Sequence, residues 1–272
     1  MKVLKYTLAT FVLIGSGAAA WFYYPQYQIN KMKEELVETG TDYDRQTYLD
    51  YFRQSSDSEI HHLALGDSVI HGFGANETEN LVYKFSSQLG VEINKTVHYS
   101  NKGKNGLTSS ELNRLVQNGV FDEEIRNSDI ITINIGGNDV LKLAKKQDFY
   151  TAIKSFDTLQ SSFASNLTEI SAKIKKLNPH ATIVFLELYN PLPVDHQIYN
   201  LADQLLPKWN LKIYEVAQQV PASLVIETTR VINSQNPQNL SADGVHPNVS
   251  GYAAITEQML NQFKKEYRRH AV

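Results

Sequence analysis

The chain of 272 residues contains no cysteine. It therefore has no disulfide bond, no thiolate nucleophile and no zinc site built on cysteine ligands. The absence is compatible with an oxidising compartment but does not require one. A covalent mechanism, if the chain has one, must use a nucleophile other than a thiolate.

A strong excess of charge of one sign is also missing. Lys and Arg number 26 and Asp and Glu number 29, which gives a formal net charge of -3. No basic stretch is interleaved with aromatic residues, so the electrostatic footprint of a nucleic-acid-binding protein is absent and we expect no nucleic-acid partner. A hydrophobic content of 42% over 272 residues is ordinary for a globular protein. This length accommodates one catalytic domain with an appendage.

Long uncharged runs are rare, and the one that stands out lies at the N-terminus. Lys2 and Lys5 precede a mostly apolar stretch from Thr7 to Tyr24. As a helix it would be about 27 Å long, close to the roughly 30 Å of a bilayer core. The two lysines predict a cytoplasmic N-terminus, with the rest of the chain outside. The terminal aromatic cluster 21–24 favours a retained anchor, whereas the alanines 18–20 fit a cleaved signal peptide.

The remaining chain divides into a lead-in and a large domain. We expect a signal anchor or signal peptide over 1–25, a helical stalk or lead-in over 26–58, and one large domain over 59–272. Within the lead-in, Gly40 interrupts a loose helical spacing. A second short helix is expected around Tyr48 and Phe52.

From residue 59 onwards, strand-like and helix-like patterns alternate. The expected strands are 60–65, 96–100, 129–135, 181–187 and 223–227. The expected helices are 79–90, 108–118, 147–177, 197–219 and 249–267. Two of the strands, around Ile131 and Ile183, are nearly continuous β-branched runs, which is typical of strands buried on both faces. The pattern predicts a three-layer α/β/α domain with a five-stranded parallel sheet.

Four short polar motifs follow these strands or precede the last helix. They are Gly66-Asp67-Ser68, the loop 101–106 ending at Gly106, Gly136-Gly137-Asn138-Asp139, and Asp243-Gly244-Val245-His246. Thr108 and Glu111, just after the second motif, have the spacing of a helix capping box. Ligands of open α/β sheets bind at the carboxyl ends of the strands. The motifs therefore predict one shared site.

In this order the four motifs resemble the blocks of the SGNH (GDSL) hydrolases, the GDSL-type lipases and acylhydrolases. The matching residues are Ser68, Gly106, Asn138 and His246, and the blocks span 63–252. The resemblance implies a flavodoxin-like sheet and ester hydrolysis without a metal or another cofactor. One departure is the segment 69–71, Val-Ile-His, where many members carry leucine and small or hydroxyl residues. This departure concerns the fit of the substrate rather than the chemistry.

The residue types fit that chemistry. A serine hydroxyl needs a base to become a nucleophile, so Ser68 is paired with His246. Asp243 would orient the imidazole and stabilise its protonated form. The oxyanion hole would consist of the backbone N–H groups of Ser68 and Gly106 and the side-chain amide of Asn138.

Neighbouring polar residues have plainer interpretations. Asp67 is expected to bond the backbone of its own turn, and Asp139 to be a turn former after a strand. His71 is a candidate for lining the cleft because it lies close to Ser68. The histidines on the first two strands are expected to be packed or strand-face residues: His61, His62 and His98.

The leading hypothesis is an extracytoplasmic serine esterase or lipase that hydrolyses acyl or acetyl esters of small molecules, lipids or glycans. It would be a single-pass membrane protein with its catalytic domain outside, or secreted if the N-terminal segment is cleaved. One alternative is a cell-wall polysaccharide O-acetylesterase of the same fold. Another is a non-catalytic binding module. A third is a metal-dependent phosphoesterase, which is disfavoured because no His-x-His or Asp-x-His pair is present.

Overall fold

The sheet has the predicted number and direction of strands. The computed structural model describes residues 23–34, 46–146 and 149–268. Five parallel strands lie in the order β2-β1-β3-β4-β5, the flavodoxin-like order, which confirms the predicted fold class. Their bounds are β1 Glu59–Gly66, β2 Thr96–Gly103, β3 Ile130–Asn134, β4 Thr182–Leu186 and β5 Ser223–Ile226. The second strand extends three residues beyond its predicted end.

Helices cover both faces of the sheet. They are α1 (23–34), α2 Tyr48–Gln54, α3 Ser68–His71, α4 Leu81–Ile93, α5 Ser109–Gln117, α6 Asp122–Arg126, α7 Gly137–Lys146, α8 Phe149–Leu177, α9 Tyr199–Gln219 and α10 Val249–Lys265. The sequence analysis missed α3, α6 and α7. Of these, α3 and α7 begin directly after strands β1 and β3, where the glycine-rich motifs were interpreted as turns.

Two hydrophobic clusters, one on each face, hold the layers together. One cluster joins the sheet to α1, α5, α8 and α9, and its large members include Phe163 and Trp209. The other joins the sheet to α2, α4 and α10 through residues such as Phe85 and Phe263. Strands β3 and β4 are buried along their whole length. This burial agrees with their nearly continuous β-branched sequence.

Helices of the predicted lead-in pack against the sheet. Ile29 and Met32 of α1 are buried in the first cluster, and Phe52 of α2 is buried in the second. The Tyr48 hydroxyl donates to the carbonyl of Ser223, 2.6 Å away, at the start of the edge strand β5. Both helices therefore contribute to the cores on the two faces of the sheet.

The predicted membrane segment, from Thr7 to Tyr24, lies outside the described residues up to position 22. The described part of helix α1 covers residues 23–34. Among the helices that the structure describes, none combines the length and the apolar character needed to cross a membrane.

The ends of β1 and β3 approach each other closely, and this contact sets the position of the site. A Cβ atom at Gly66 would lie 2.1 Å from the carbonyl oxygen of Asn134, so only glycine fits there. The next residue, Asp67, donates its N–H to the same carbonyl, 3.1 Å away. The segments that follow the two strands, one carrying Ser68 and the other Asn138, consequently start at the same edge of the sheet.

Candidate active site

Ser68 is the first residue of the short helix α3. The preceding Asp67 caps this helix, because its Oδ1 accepts the N–H of Val69 at 3.0 Å, as the sequence predicts. Burial raises the pKa of Asp67 to about 7, against the effect of the Val69 hydrogen bond and with a further contribution from the charge of Asp139. Ser68 itself is 8% exposed, so its hydroxyl sits at the floor of the site.

The structure brings Ser68 together with His246, which lies 178 positions further along the chain. The two atoms Ser68 Oγ and His246 Nε2 are 2.8 Å apart. On the other side of the ring, His246 Nδ1 lies 2.6 Å from Asp243 Oδ2. Because a carboxylate only accepts, Nδ1 carries the proton and Nε2 accepts the serine hydroxyl. This tautomer suits a base that removes a proton from serine.

The carboxylate of Asp243 is held by its own loop. Its Oδ1 accepts the backbone N–H groups of Val245 and His246, at 2.9 and 3.0 Å. Partial burial acts to raise the pKa of Asp243, but these two backbone bonds and the bond from the His246 ring outweigh it and leave the pKa below its ordinary value. Asp243 is therefore ionised at neutral pH.

The loop that carries Asp243 and His246 is held by one bond within the loop and one bond from the rest of the domain. The N–H of Ser241 donates to the carbonyl of His246, 2.8 Å away, which closes the loop on itself. The Tyr189 hydroxyl, from the segment after β4, donates to the carbonyl of Val245 at 3.0 Å. Sequence analysis missed this contact, since nothing in the local pattern pairs position 189 with position 245.

An aromatic ring covers the imidazole. The rings of Phe73 and His246 have centroids 4.4 Å apart and are tilted by 35°. Phe73 is 41% exposed, and its carbonyl accepts the hydroxyl of Tyr252 from α10 at 3.0 Å. Phe73 therefore forms part of the rim of the site, directly beside His246.

The two other predicted oxyanion donors lie on the loop before α5 and in the first turn of α7. Gly106 has a positive φ of 76°, a conformation that favours glycine, and is exposed. Asn138 follows the first residue of α7, and its Nδ2 donates to the carbonyl of Leu107 at 3.0 Å. The capping box predicted for Thr108 and Glu111 is confirmed at the start of α5.

Asp139 makes contacts that were not predicted. Its two carboxylate oxygens accept the N–H and the hydroxyl of Ser109, at 2.9 and 2.6 Å. Its own N–H donates to the carbonyl of Gly136, at the start of α7. The interpretation of Asp139 as a turn former is therefore incomplete, because its side chain joins α7 to α5.

The histidines of the first two strands are packing and surface residues, as predicted. His62 is buried between the hydroxyls of Ser86 and Thr132. His61 and His98 stack on each other with centroids 5.3 Å apart. His71 has an exposed side chain at the last residue of α3. Within the part of the chain that the structure covers, no group of three or more His, Asp or Glu side chains is arranged to hold a metal ion.

A parallel α/β/α sheet with a serine–histidine–aspartate hydrogen-bond chain at its carboxyl edge is the arrangement of a serine hydrolase. Comparison with known proteins specifies the class further. The model of the GDSL-like lipase/acylhydrolase family matches residues 64–254, and the chain belongs to this family. It is a carboxylic ester hydrolase of the GDSL type, as the sequence motifs predict.

Three similar proteins illustrate the family. The spore germination lipase LipC of Bacillus licheniformis is 27% identical over 205 residues, which cover 74% of this chain and 94% of LipC. The crystal structure of the lipase Lip_vut3 from a goat rumen metagenome superposes with a TM-score of 0.66 at 27% identity, covering 75% of this chain and 97% of that one. The acetylxylan esterase Axe2 of Geobacillus stearothermophilus has a TM-score of 0.58 at 18% identity, covering 78% and 97%, and shares the fold.

Proposed function

We propose that this protein is an extracytoplasmic serine esterase of the lipase type, with Ser68 as nucleophile, His246 as base and Asp243 as the group that orients the base. The observation that carries the proposal is the continuous hydrogen-bond chain from Asp243 through His246 to Ser68, with distances of 2.6 and 2.8 Å. It joins residues from opposite ends of the domain in the geometry that nucleophilic catalysis requires.

In the acylation step, Ser68 Oγ attacks the ester carbonyl carbon while His246 Nε2 takes the hydroxyl proton. The carbonyl oxygen becomes an oxyanion, and Asp243 stabilises the imidazolium that has formed. The tetrahedral intermediate collapses when the bond to the alcohol oxygen breaks and His246 returns the proton to that oxygen. The alcohol leaves, and the acyl group remains on Ser68.

Deacylation repeats these steps with water as the nucleophile. His246 takes a proton from the water, the hydroxide oxygen bonds to the acyl carbon, and the Ser68–acyl bond breaks as Ser68 regains the proton. In both halves of the reaction the oxyanion accepts from the N–H groups of Ser68 and Gly106 and from the second N–H of the Asn138 amide. One such donor contributes about 3–4 kcal/mol to the transition state.

The surface beside the site supports an ester with a longer acyl chain rather than an acetyl ester as the substrate. Phe73 beside the base is 41% exposed, and Val140 and Leu141, which follow the oxyanion residue Asn138, are 37% and 39% exposed. An apolar side chain at the rim, such as Phe73, provides contact for a hydrocarbon chain. Two relatives at 27% identity are described as lipases, which supports the same choice. Hydrolysis of an O-acetylated polysaccharide is the alternative that the substrate test must separate.

The test is hydrolysis of p-nitrophenyl acetate, butyrate, octanoate and palmitate by the full chain in detergent, with and without EDTA. We expect turnover that favours the longer acyl chains and does not respond to EDTA. Ser68→Ala should lower kcat by about 10⁴-fold or more, because the nucleophile is removed. Ser87→Ala, at an exposed serine of α4, is the matched control and should leave kcat unchanged.

Turnover by Ser68→Ala at the wild-type rate would overturn the serine mechanism. A strong preference for the acetyl ester, together with release of acetate from acetylated xylan, would replace the lipase proposal by the acetylesterase alternative.

The proposed location rests on the N-terminal sequence alone, in which Lys2 and Lys5 precede the apolar stretch from Thr7 to Tyr24. We expect the full chain to sediment with membranes and its hydrolase domain to be digested by protease added outside intact, wall-stripped cells. Digestion that requires lysis of the cells would contradict this location. Release of the domain into the medium would favour the cleaved signal peptide.

A further inference from the structure

Asp139 connects two segments that bear on the proposed oxyanion hole. Its Oδ1 accepts the Ser109 hydroxyl at 2.6 Å, and its Oδ2 accepts the Ser109 N–H at 2.9 Å. Ser109 is fully buried at the first residue of α5. Hydrogen bonds to a charged acceptor are roughly twice as strong as bonds between neutral groups, so this two-pronged contact resists separation of α7 from α5.

The neighbouring residue makes a parallel contact. Asn138 Nδ2 donates to the carbonyl of Leu107 at 3.0 Å. Two consecutive residues of α7 therefore hold the two residues that flank Thr108. Gly106, which carries the second proposed donor, lies directly before Leu107 on the same loop. Because an amide has two N–H groups, the bond to Leu107 leaves one N–H of Asn138 for the oxyanion.

We infer that Asp139 is a positioning residue for ester hydrolysis: it sets the distance between the Gly106 N–H and the Asn138 amide by tying the start of α7 to the start of α5. The inference rests on the proposed oxyanion hole. It assigns to Asp139 an effect on the transition state that is exerted through Asn138 and Gly106.

A purely local role does not account for the contact. Helix α5 already has its own cap, since Thr108 and Glu111 exchange side-chain and backbone hydrogen bonds in a capping box. The bond from Asp139 is therefore additional to what the start of α5 needs. Ser109 Oγ also accepts Asn166 Nδ2 from α8 at 3.0 Å, so the serine is fixed from a third element. Asp139 thus bonds a serine that is already held in place by another helix.

The experiment compares Asp139→Ala, Asn138→Ala and the double variant, with kcat and KM measured on the best p-nitrophenyl ester. We expect Asp139→Ala to lower kcat about 10–100-fold with KM changed less than about threefold, because the transition state is affected more than the ground state. The double variant should be about as slow as Asn138→Ala alone. Once the amide donor is absent, misplacing it has no further effect.

A conservative variant at position 139 and a control variant at another aspartate test whether the effect on kcat is specific to Asp139. Asp139→Asn should retain more activity than Asp139→Ala, because its amide oxygen can accept the Ser109 N–H while its amide nitrogen donates to the hydroxyl oxygen. Asp129→Ala is the matched control: Asp129 accepts the N–H of His61 at 2.8 Å, just before β3, at the other edge of the sheet. It removes a carboxylate that accepts a backbone N–H, as Asp139 does, and should leave kcat within about twofold of the wild type.

Three outcomes would overturn the inference. A normal kcat in Asp139→Ala together with a slow Asn138→Ala would overturn the role of Asp139 and leave the proposed oxyanion hole standing. A double variant slowed by the product of the two single effects would show that Asp139 acts independently of Asn138. A normal kcat in Asn138→Ala would remove the proposed oxyanion hole and the inference with it. If Asp139→Ala does not fold, Ser109→Ala takes its place in the same cycle, with an expected loss of about 2–5-fold.

Discussion

Two histidines at different depths of the sheet each bond a hydroxyl at Nε2, and they differ in the partner of Nδ1. In the middle of the sheet, His62 Nε2 lies 2.8 Å from the Thr132 hydroxyl, and its Nδ1 lies 2.8 Å from Ser86 Oγ. Ser86 donates its own proton to the carbonyl of Val82, so it accepts from the His62 ring. His62 is therefore in the same tautomer as His246 at the carboxyl edge, with a hydroxyl donating to Nε2.

The two sites differ in the partner of Nδ1 and in access. His62 faces a neutral hydroxyl and is 2% exposed, and burial lowers its pKa to about 3. His246 faces the carboxylate of Asp243, and its side chain is 20% exposed. A carboxylate stabilises the imidazolium that forms when a base takes a proton, whereas a hydroxyl in a buried site does not. His246 thus has the charged partner and the exposure that a catalytic base requires, and His62 has neither.

The largest difference in kcat is expected between the variants that remove each histidine in turn. His246→Ala should lower kcat by about 10⁴-fold, because the base of both half-reactions is lost. His62→Ala should keep kcat per folded molecule within about twofold but lower the free energy of unfolding by about 2–4 kcal/mol. Ester hydrolysis and urea denaturation of the two variants measure these effects. Equal losses of kcat would remove the distinction between the two sites.

Replacing the charged partner tests the difference directly. Asp243→Asn should lower kcat by about 10³–10⁴-fold. The reason is that the new amide donates towards Nδ1, which moves the ring proton to Nε2, where it can no longer accept from Ser68. The amide oxygen still accepts the backbone N–H groups of Val245 and His246, so stability should change little. A kcat within tenfold of the wild type, measured on the same ester, would contradict the assigned role of Asp243.

The pH dependence of the free energy of unfolding measures the contribution of neutral His62 to stability. Its pKa is about 3 in the folded protein and near its ordinary value of 6.5 in the unfolded chain. The unfolded chain therefore binds more protons between these values, and the stability due to neutral His62 is present above pH 6.5 and is lost as the pH falls towards 3. The difference in unfolding free energy between wild type and His62→Ala should shrink by about 2–3 kcal/mol from pH 7.5 to 4.5. Urea titrations at these pH values measure it, and a constant difference would contradict the prediction.

The smallest expected effect concerns the loop that presents His246. Tyr189→Phe removes the hydroxyl that donates to the Val245 carbonyl, a bond worth about 1 kcal/mol. We expect kcat to fall about 3–10-fold, because the loop holding Asp243 and His246 becomes less constrained. Tyr99→Phe, at a half-exposed position on strand β2, is the control and should not change kcat. An unchanged kcat in Tyr189→Phe would show that the loop's own hydrogen bonds suffice.

The strands were predictable because their signal is local. β-Branched runs around Ile131 and Ile183 identify buried strands without any knowledge of their partners. Helix α7 was missed because Gly137 and Asn138 are ordinary turn residues, and helix formation there depends on packing after a strand. The same limit applies to Asp139, whose side chain contacts a residue 30 positions away.

The sequence by itself determined the number of strands, the order of the motifs and the residue types that are able to carry ester hydrolysis, because these follow from local periodicity and from the chemistry of single side chains. Only the tertiary structure decided that Tyr189 bonds the loop that carries Asp243 and His246. It also decided that Asp139 joins α7 to α5 and that Asp67 has a raised pKa. These properties depend on burial and on contacts between distant segments, which exist only once the layers have packed.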